Sequence, residues 1–223
     1  MNNFNELLIN YKVAIPPIQR DYAQGRNSNA INTIRERFLQ SIFEALNDEN
    51  GQPLLLDFIY GYIEEDTFAG GNQNLQIFKP LDGQQRLTTL FLLHWYIANR
   101  ENKLNSASSI LQRFTYETRR TSREFCEKLV NFNLNLNLQS PVDKQIVNQP
   151  WYFSNWNNDP TIQSMLVVLA SIEVKYNHYL SLPNNSLSNV WQNLISNQLM
   201  KYSPFLKIRS FVQSIVDCQK TFA

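Results

Sequence analysis

The segment Asp82-Gly83-Gln84-Gln85-Arg86 combines side chains that can hold a phosphate, and it stands directly before a long apolar pattern of helical type. The N–H groups and the dipole at a helix N-terminus attract an anion, and an arginine in the first turn is natural only if an anion offsets the dipole. Gly83 would let the backbone approach the anion, Arg86 would grip it with two hydrogen bonds, and Asp82 could hold a Mg²⁺ that bridges phosphates. The segment therefore predicts an anion site, with a nucleotide phosphate as its ligand.

The same residues also permit a purely structural interpretation. Asp82 can cap the helix while Gln85, three residues later, reaches back to the N–H of the capping residue. This interpretation gives Gln84 no structural task, and it does not explain why Arg86 and Thr88 stand so early in a helix. On the residues alone, both the anion site and the simple cap stay open.

A pair of prolines upstream predicts an extended segment that could face this site. Pro16 and Pro17 exclude a helix, so the chain should carry Gln19, Arg20 and Tyr22 along an edge or into a groove. We expect Gln19 and Arg20 to lie across from the anion site, close enough to touch the same triphosphate.

Hydrophobic periodicity indicates the elements that must position these residues. Residues 29–47 form an amphipathic helix, and its apolar stripe includes Ile31 and Ile34, while Arg35 falls on or near the polar face. A second helix, apolar nearly all round and therefore central, should run from Asp82 to about residue 100.

Two strands are expected before the central helix. Residues 54–63 and 75–81 are apolar and aromatic, and a Gly/Asn-rich loop at 66–74 separates them, which predicts an antiparallel pair. Gly61 marks a point where another part of the chain approaches the first strand closely.

The sequence pattern of the second half of the chain predicts a mainly helical structure. Residues 101–109 form a polar linker, which suggests a division into an α/β core at 1–100 and a helical extension at 101–223. Residues 110–130 look helical with an interruption, and 131–139 alternate Asn with Phe or Leu, which fits either a strand or an irregular loop. Further helices are expected from the Asp-Pro pair at 159–160 and over 187–198.

Four arginines at positions 113, 119, 120 and 123 form the main local concentration of positive charge. They can belong to an ordinary solvated helix face with ion pairs four residues apart. Alternatively, Arg119, Arg120 and Arg123 could contact the phosphates of a nucleotide or of DNA.

Composition excludes several classes of function. The net charge is +1, so no overall field draws the chain to nucleic acid, and two histidines cannot supply a His-rich nuclease or zinc centre. His94 lies in an apolar stretch and reads as a core residue. Cys126 and Cys218 lack metal-type spacing and suggest thiols in a reducing compartment. With no signal-like N-terminus and no membrane-length apolar run, we expect a cytoplasmic protein.

Beyond these patterns, the string Leu81–Leu90, together with Ile15–Tyr22, resembles the family called domain of unknown function 262. That family forms the N-terminal part of GmrSD-type modification-dependent restriction enzymes. The segments 58–63, 114–119 and 159–162 look like further family landmarks, so the resemblance covers roughly residues 5–200.

The resemblance implies a fold similar to the ParB/sulfiredoxin fold: an α+β core with a small mixed or antiparallel sheet, followed by a mainly helical part. It also implies a nucleotide site, with Mg²⁺ on Asp82. The implied catalytic residues are Asp82, Gln84, Gln85 and Arg86, and the implied nucleotide-binding residues are Gln19, Arg20, Tyr22, Gly83, Arg86 and Thr88. Family members often carry a bulky aromatic residue about two positions after Tyr22, where this chain has Gln24-Gly25.

The sequence thus predicts a regulatory domain of a bacterial, anti-phage restriction system that binds an NTP and could hydrolyse it. The base is not specified, and the expected partners are a nucleotide, DNA and a nuclease domain or subunit outside these 223 residues. We therefore do not expect this chain alone to cut DNA. The alternatives are a DNA-sensing module without enzymatic activity and a scaffold that binds nucleotide only to signal to a partner.

Overall fold

Helices and short strands are interspersed along the part of the chain that the computed structural model describes, which is residues 3–47, 54–56, 59–64, 76–117, 119–137, 139–182, 190–196 and 200–201. The helices there are α1 (Phe4–Asn10), α2 (Asn29–Leu46), α3 (Gln84–Arg100), α4 (Leu104–Leu111), α5 (Arg120–Asn131), α6 (Val142–Val147), α7 (Pro160–Leu180) and α8 (Val190–Ile195), with a 3₁₀ turn at Ser154–Asn158. The strands are β1 (Lys12–Ile15), β2 (Leu54–Leu55), β3 (Gly61–Glu64), β4 (Ile77–Pro80), β5 (Phe114–Tyr116) and β6 (Met200–Lys201).

The main sheet is mixed, with the strand order β3-β4-β1-β5. Strands β3 and β4 are antiparallel, whereas β1 runs parallel to both β4 and β5. The expected antiparallel pair and the α+β class with a small mixed sheet are confirmed. Similarity to the ParB/sulfiredoxin fold stays a prediction.

The first strand of the predicted pair is shorter than expected. Strand β3 starts at Gly61, where a Cβ atom would overlap the carbonyl oxygen of Lys79 on β4, so a glycine is needed for the two strands to pair. The Gly/Asn-rich loop predicted at 66–74 lies outside the described residues.

Helix α3 is the centre of the fold because it is apolar nearly all round. Every residue from Leu87 to Asn99 is buried, and the helix packs against α4, α7 and α8. His94 is 1% exposed and its Nδ1 lies 2.7 Å from the carbonyl oxygen of Leu90. Burial lowers the pKa of His94 to about 4, so the ring is neutral at pH 7, and the prediction of a core histidine is confirmed.

Helix α2 has the predicted span, but the residues of its apolar stripe lie in two different environments. Its later part includes Leu39 and Phe43, which are fully buried, and the helix packs near α7. At its N-terminal end Ile34 is 58% exposed, so it does not belong to the core as the stripe predicted. Arg35 was expected near the polar face and is instead buried, where its guanidinium donates to the carbonyl oxygen of Gln24 at 2.8 Å.

The second half differs from the sequence-based expectation in two places. The expected linker at 101–109 is largely helix α4, whose buried Leu104 and Ala107 pack into the core. The interruption within 110–130 is strand β5, which pairs with β1. The division at residue 100 stays a prediction, but the elements on its two sides share one sheet.

The Asn-rich tract at 131–139 forms no strand in its described residues. Leu134 is buried and donates its backbone N–H to the Asn99 side chain at 3.2 Å, so a side chain takes the place of a strand partner. Helix α7 starts at Pro160 with Asp159 as its N-cap, as predicted. The helix expected at 187–198 is present as α8, and the residues at its two ends, like Cys218, lie outside the described part.

Within the described residues, no helix combines the length and the apolar character that a membrane crossing requires.

Candidate functional site

The site lies where two segments leave the same edge of the sheet. Because β1 and β4 run parallel, the chain after Ile15 and the chain after Pro80 emerge side by side. Such an edge, at the carboxyl ends of parallel strands, is where open α/β sheets bind ligands. The Gln19 side chain joins the two segments by donating to the carbonyl oxygens of Pro80, at 3.3 Å, and Leu81, at 2.8 Å.

The two glutamines of the motif hold the loop after β1 against the start of α3. Gln84 Nε2 donates to the carbonyl oxygen of Arg20, and Gln85 Nε2 donates to that of Asp21, both at 2.9 Å. Gln85 Oε1 also accepts from the N–H of Ala23 at 2.9 Å. Gln84 therefore has a structural task after all, and Gln85 bonds to the loop instead of closing a capping box.

Helix α3 begins at Gln84, and the preceding Gly83 is its N-cap, with a φ of 91°. A Cβ atom at Gly83 would come within 2.7 Å of Ile59 Cγ1, so both the conformation and the space favour glycine. Asp82 does not cap α3, because the glycine turn leaves its carboxylate outside the helix, so the purely structural interpretation of Asp82 does not hold. Among the described residues no side chain caps α3.

A cleft of about 430 Å³ opens at this uncapped helix end. Its lining comes from the loop after β1, from α2 and from the start of α3, namely Gln19, Arg20, Ala23, Gln24, Ile31, Ile34, Asp82, Gly83, Gln84, Gln85 and Arg86. The structure thus brings Gln19 and Arg20 together with the whole motif. Arg86 faces the cleft with a side chain that is 21% exposed, and it meets Asp82 Oδ2 at 3.2 Å.

Gln84 is 4% exposed, and its side-chain oxygen has no hydrogen-bond partner among the described residues. A buried amide oxygen without a donor costs free energy, so it marks a place where another group could bind. Gln84 is the first residue of α3, so this oxygen is a second polar feature at the same helix end.

Tyr22 and Thr88, which were expected to touch the nucleotide, lie beneath the cleft and do not line it. Tyr22 is 1% exposed and its hydroxyl lies 2.7 Å from the hydroxyl of Thr89, while Thr88 is fully buried against the Tyr116 hydroxyl at 2.9 Å. Burial raises the pKa of both tyrosines, so their hydroxyls stay protonated. The first turns of α3 direct positions 88 and 89 into the core, and Tyr22, in the loop after β1, is buried against Thr89. Neither Tyr22 nor Thr88 therefore lines the cleft.

Arg119 anchors the loop from behind rather than lining the cleft. It follows β5, so it emerges at the same sheet edge, and its guanidinium forms an ion pair with Asp21. It also contacts the Thr161 hydroxyl at 3.2 Å and the carbonyl oxygen of Gln19 at 3.4 Å. This arginine is therefore occupied by the chain itself, which argues against the phosphate contact predicted for it.

The other arginines of the group have separate partners. Arg120 is exposed and pairs with Glu124 at 2.7 Å, the helix-surface arrangement that the sequence allowed. Arg123 reaches the carbonyl oxygen of Glu117 at 3.4 Å, and Arg113 bonds to carbonyl oxygens at the end of α1. A phosphate contact by Arg120 or Arg123 stays a prediction.

Sequence reasoning missed the apolar part of the lining and the anchoring of the loop. Ile31 and Ile34 follow the same spacing as core residues, so periodicity could not separate them. Gly25, which stands near the family's usual aromatic residue, lies so close to the backbone of Ser164 on α7 that a Cβ atom would overlap it. The loop after β1 therefore packs directly on α7 at Gly25, where a larger residue would not fit.

The residues present offer a limited fit to Mg²⁺. Among the described residues, no three His, Cys, Asp or Glu side chains form a group that could hold a metal. Asp82, at the cleft with a side chain 55% exposed, supplies one carboxylate. Mg²⁺ in nucleotide sites is often held by one or two carboxylates together with phosphates and water, so Asp82 suits a metal that arrives with its nucleotide.

Comparison with known proteins gives one clear match. A family model described as the GmrSD restriction endonuclease N-terminal domain matches residues 4–214, which is nearly the whole chain. No curated protein matches the chain.

Proposed function

Because the chain belongs to the family of GmrSD restriction endonuclease N-terminal domains, we propose that it binds a nucleoside triphosphate and thereby regulates a nuclease. Family membership gives it a role in a modification-dependent restriction system and suggests DNA and a nuclease as partners. The nucleotide, its place in the cleft and its regulatory effect are our additions.

The observation that carries the proposal is the start of α3, which no described side chain caps, at a cleft that Arg20 and Arg86 also line. Helix N–H groups that no described side chain caps, in a cleft lined by two arginines, would form a site for a phosphate group. The cleft volume of about 430 Å³ also falls within the roughly 300–1,000 Å³ range of small-molecule sites.

Hydrolysis would depend mainly on charge neutralisation and positioning. Arg86 and Arg20 would neutralise charge on the terminal phosphate, and Asp82 would hold the Mg²⁺, which supplies further neutralisation when bound. Gln84 Oε1 is the amide oxygen of the motif that has no partner among the described residues, but it is buried, so orienting water would require its side chain to turn toward the cleft.

A second candidate function is nucleotide binding without turnover, and one observation favours it. Both polar atoms of the Gln85 amide and the nitrogen of Gln84 are engaged with the loop, so most of the groups expected to orient water hold the structure instead. In this case the domain would act as a scaffold that signals the bound nucleotide to its partner. A DNA-sensing module without nucleotide is the remaining alternative.

A phosphate-release assay with each of the four NTPs and Mg²⁺, with and without DNA, separates these functions. Phosphate release identifies the chain as an NTPase, and tight nucleotide binding without release identifies the scaffold. A salt-dependent DNA shift together with no nucleotide binding would contradict the proposal and favour the DNA-sensing module.

The variant that tests the phosphate site is Arg86→Ala. We expect it to weaken nucleotide binding about tenfold to a hundredfold, because it removes a charged hydrogen-bonded contact in a cleft. The control is Lys144→Ala, because Lys144 also pairs with a carboxylate, that of Asp143, but lies outside the cleft. Calorimetric titration should give unchanged affinity for the control. Equal binding by Arg86→Ala and the unmodified chain would refute the role of Arg86.

A further inference from the structure

The cleft has an apolar wall that phosphate binding does not require. Ile31 and Ile34, one helical turn apart at the N-terminal end of α2, both line it. Ile34 is 58% exposed although it belongs to the same apolar stripe as the fully buried Leu39 and Phe43. The stripe therefore extends beyond the core and ends in the cleft.

The position of Ile31 and Ile34 in the cleft, and not only their exposure, indicates that they contact a ligand. Single exposed apolar residues are common on protein surfaces and need no explanation, and Ile9 on α1 is 46% exposed although it lies outside the cleft. Ile31 and Ile34 instead share a concave site with Arg20 and Arg86. Apolar side chains beside a few convergent polar groups are typical of small-molecule sites.

We propose that Ile31 and Ile34 form a nucleoside subsite, against which the face of a base packs while the phosphates lie at the start of α3. This inference rests on the proposed function and specifies its ligand: a complete nucleotide, and not an inorganic phosphate chain. Because the two side chains carry no hydrogen-bonding groups, the subsite selects for a base without distinguishing one base from another.

The two parts of the ligand should respond to different substitutions. Removing the Ile34 side chain leaves Arg20, Arg86 and the helix end in place, so it should affect only the nucleoside part. Ile34 is exposed in the absence of ligand, so alanine there should preserve the helix and the fold.

The experiment is calorimetric titration of the full chain with ATP, GTP, CTP, UTP and inorganic tripolyphosphate, each with Mg²⁺. We expect Ile34→Ala to weaken the binding of every nucleotide about fivefold, the loss of roughly 40 Å² of apolar contact. Tripolyphosphate should bind the variant and the unmodified chain equally. Ile9→Ala is the matched control, because Ile9 is 46% exposed on α1 and lies outside the cleft.

The possible results distinguish the subsite from the anion site. If Ile34→Ala leaves nucleotide affinity unchanged, or weakens tripolyphosphate and nucleotides equally, the nucleoside subsite is refuted while the anion site stands. If neither nucleotide nor tripolyphosphate binds the unmodified chain, the proposed function fails, and the subsite fails with it. A loss shared by Ile9→Ala would likewise refute a local role for Ile34.

Discussion

Helices α3 and α7 both follow an aspartate, yet their first turns differ. Asp159 is the N-cap of α7 and accepts from the N–H groups of Thr161, at 2.9 Å, and Ile162, at 3.1 Å. Asp82 stands one residue further out, because Gly83 is the N-cap of α3, and its carboxylate meets Arg86 instead. A single intervening glycine thus decides whether an aspartate closes a helix end or leaves it available.

The difference separates a structural helix end from a candidate ligand site. The start of α7 is satisfied by its own carboxylate and needs no external anion. The start of α3 has no side-chain cap among the described residues and opens on the cleft. An anion bound there would accept hydrogen bonds from the first N–H groups of α3, as the Asp159 carboxylate does for α7. Three sets of substitutions test this contrast.

Gly83→Ala should have the largest effect on stability. The φ of 91° and the close approach of Ile59 should together lower the free energy of unfolding by about 1–3 kcal/mol. Urea unfolding at 25 °C measures the loss. Pro160→Ala, at the first position of α7, is the control and should cost at most about 1 kcal/mol. A fully stable Gly83→Ala chain would mean that the glycine turn does not control the start of α3.

Removing the two aspartates should give unequal losses. Asp159→Ala should lower the free energy of unfolding by about 0.5–2 kcal/mol through loss of the cap, and Thr121 would lose its hydrogen bond to the same carboxylate. Asp82→Ala should stay within about 0.5 kcal/mol of the unmodified chain, because its carboxylate does not cap the helix. Urea unfolding of the two variants measures the losses. Equal losses of unfolding free energy would show that Asp82 caps α3 in solution.

The smallest expected effect is the coupling between Asp82 and Arg86. A double-mutant cycle with alanine at both positions should give about 0.2–0.5 kcal/mol, and 1 M salt should reduce it, because the pair is partly exposed. The same cycle on Arg120 and Glu124 provides the reference for an ordinary surface pair. A coupling energy above about 1.5 kcal/mol would exceed the range of exposed ion pairs. It would show that the Asp82–Arg86 pair itself stabilises the start of α3.

Much of the framework could be predicted because local signals specified it. The spans of α2 and α3 follow from continuous apolar patterns, and the Asp-Pro pair before α7 is both a cap and a start signal. The antiparallel pairing of β3 with β4 follows from two apolar runs separated by turn residues.

The misses concern partners that are distant in sequence. Nothing near Gln84 and Gln85 indicates that their amides bond to backbone atoms of residues 20–23. No residue close to Arg119 in the sequence indicates its ion pair with Asp21. Ile34 has the spacing of a core residue, and only the position of the cleft separates it from one. Single-sequence patterns report periodicity and caps, whereas these contacts depend on how the finished sheet brings its loops together.

The glutamine bonds to the loop have a thermodynamic consequence. They join residues 62 to 64 positions apart, so the loop of chain that they close is long and the cleft exists only when most of the domain is folded. A ligand of this cleft would bind the native state and not the unfolded chain, and would raise the unfolding free energy by RT ln(1 + [L]/Kd). The melting temperature of the domain would then rise with ligand concentration, which makes thermal unfolding a search tool for the ligand that needs no catalytic turnover.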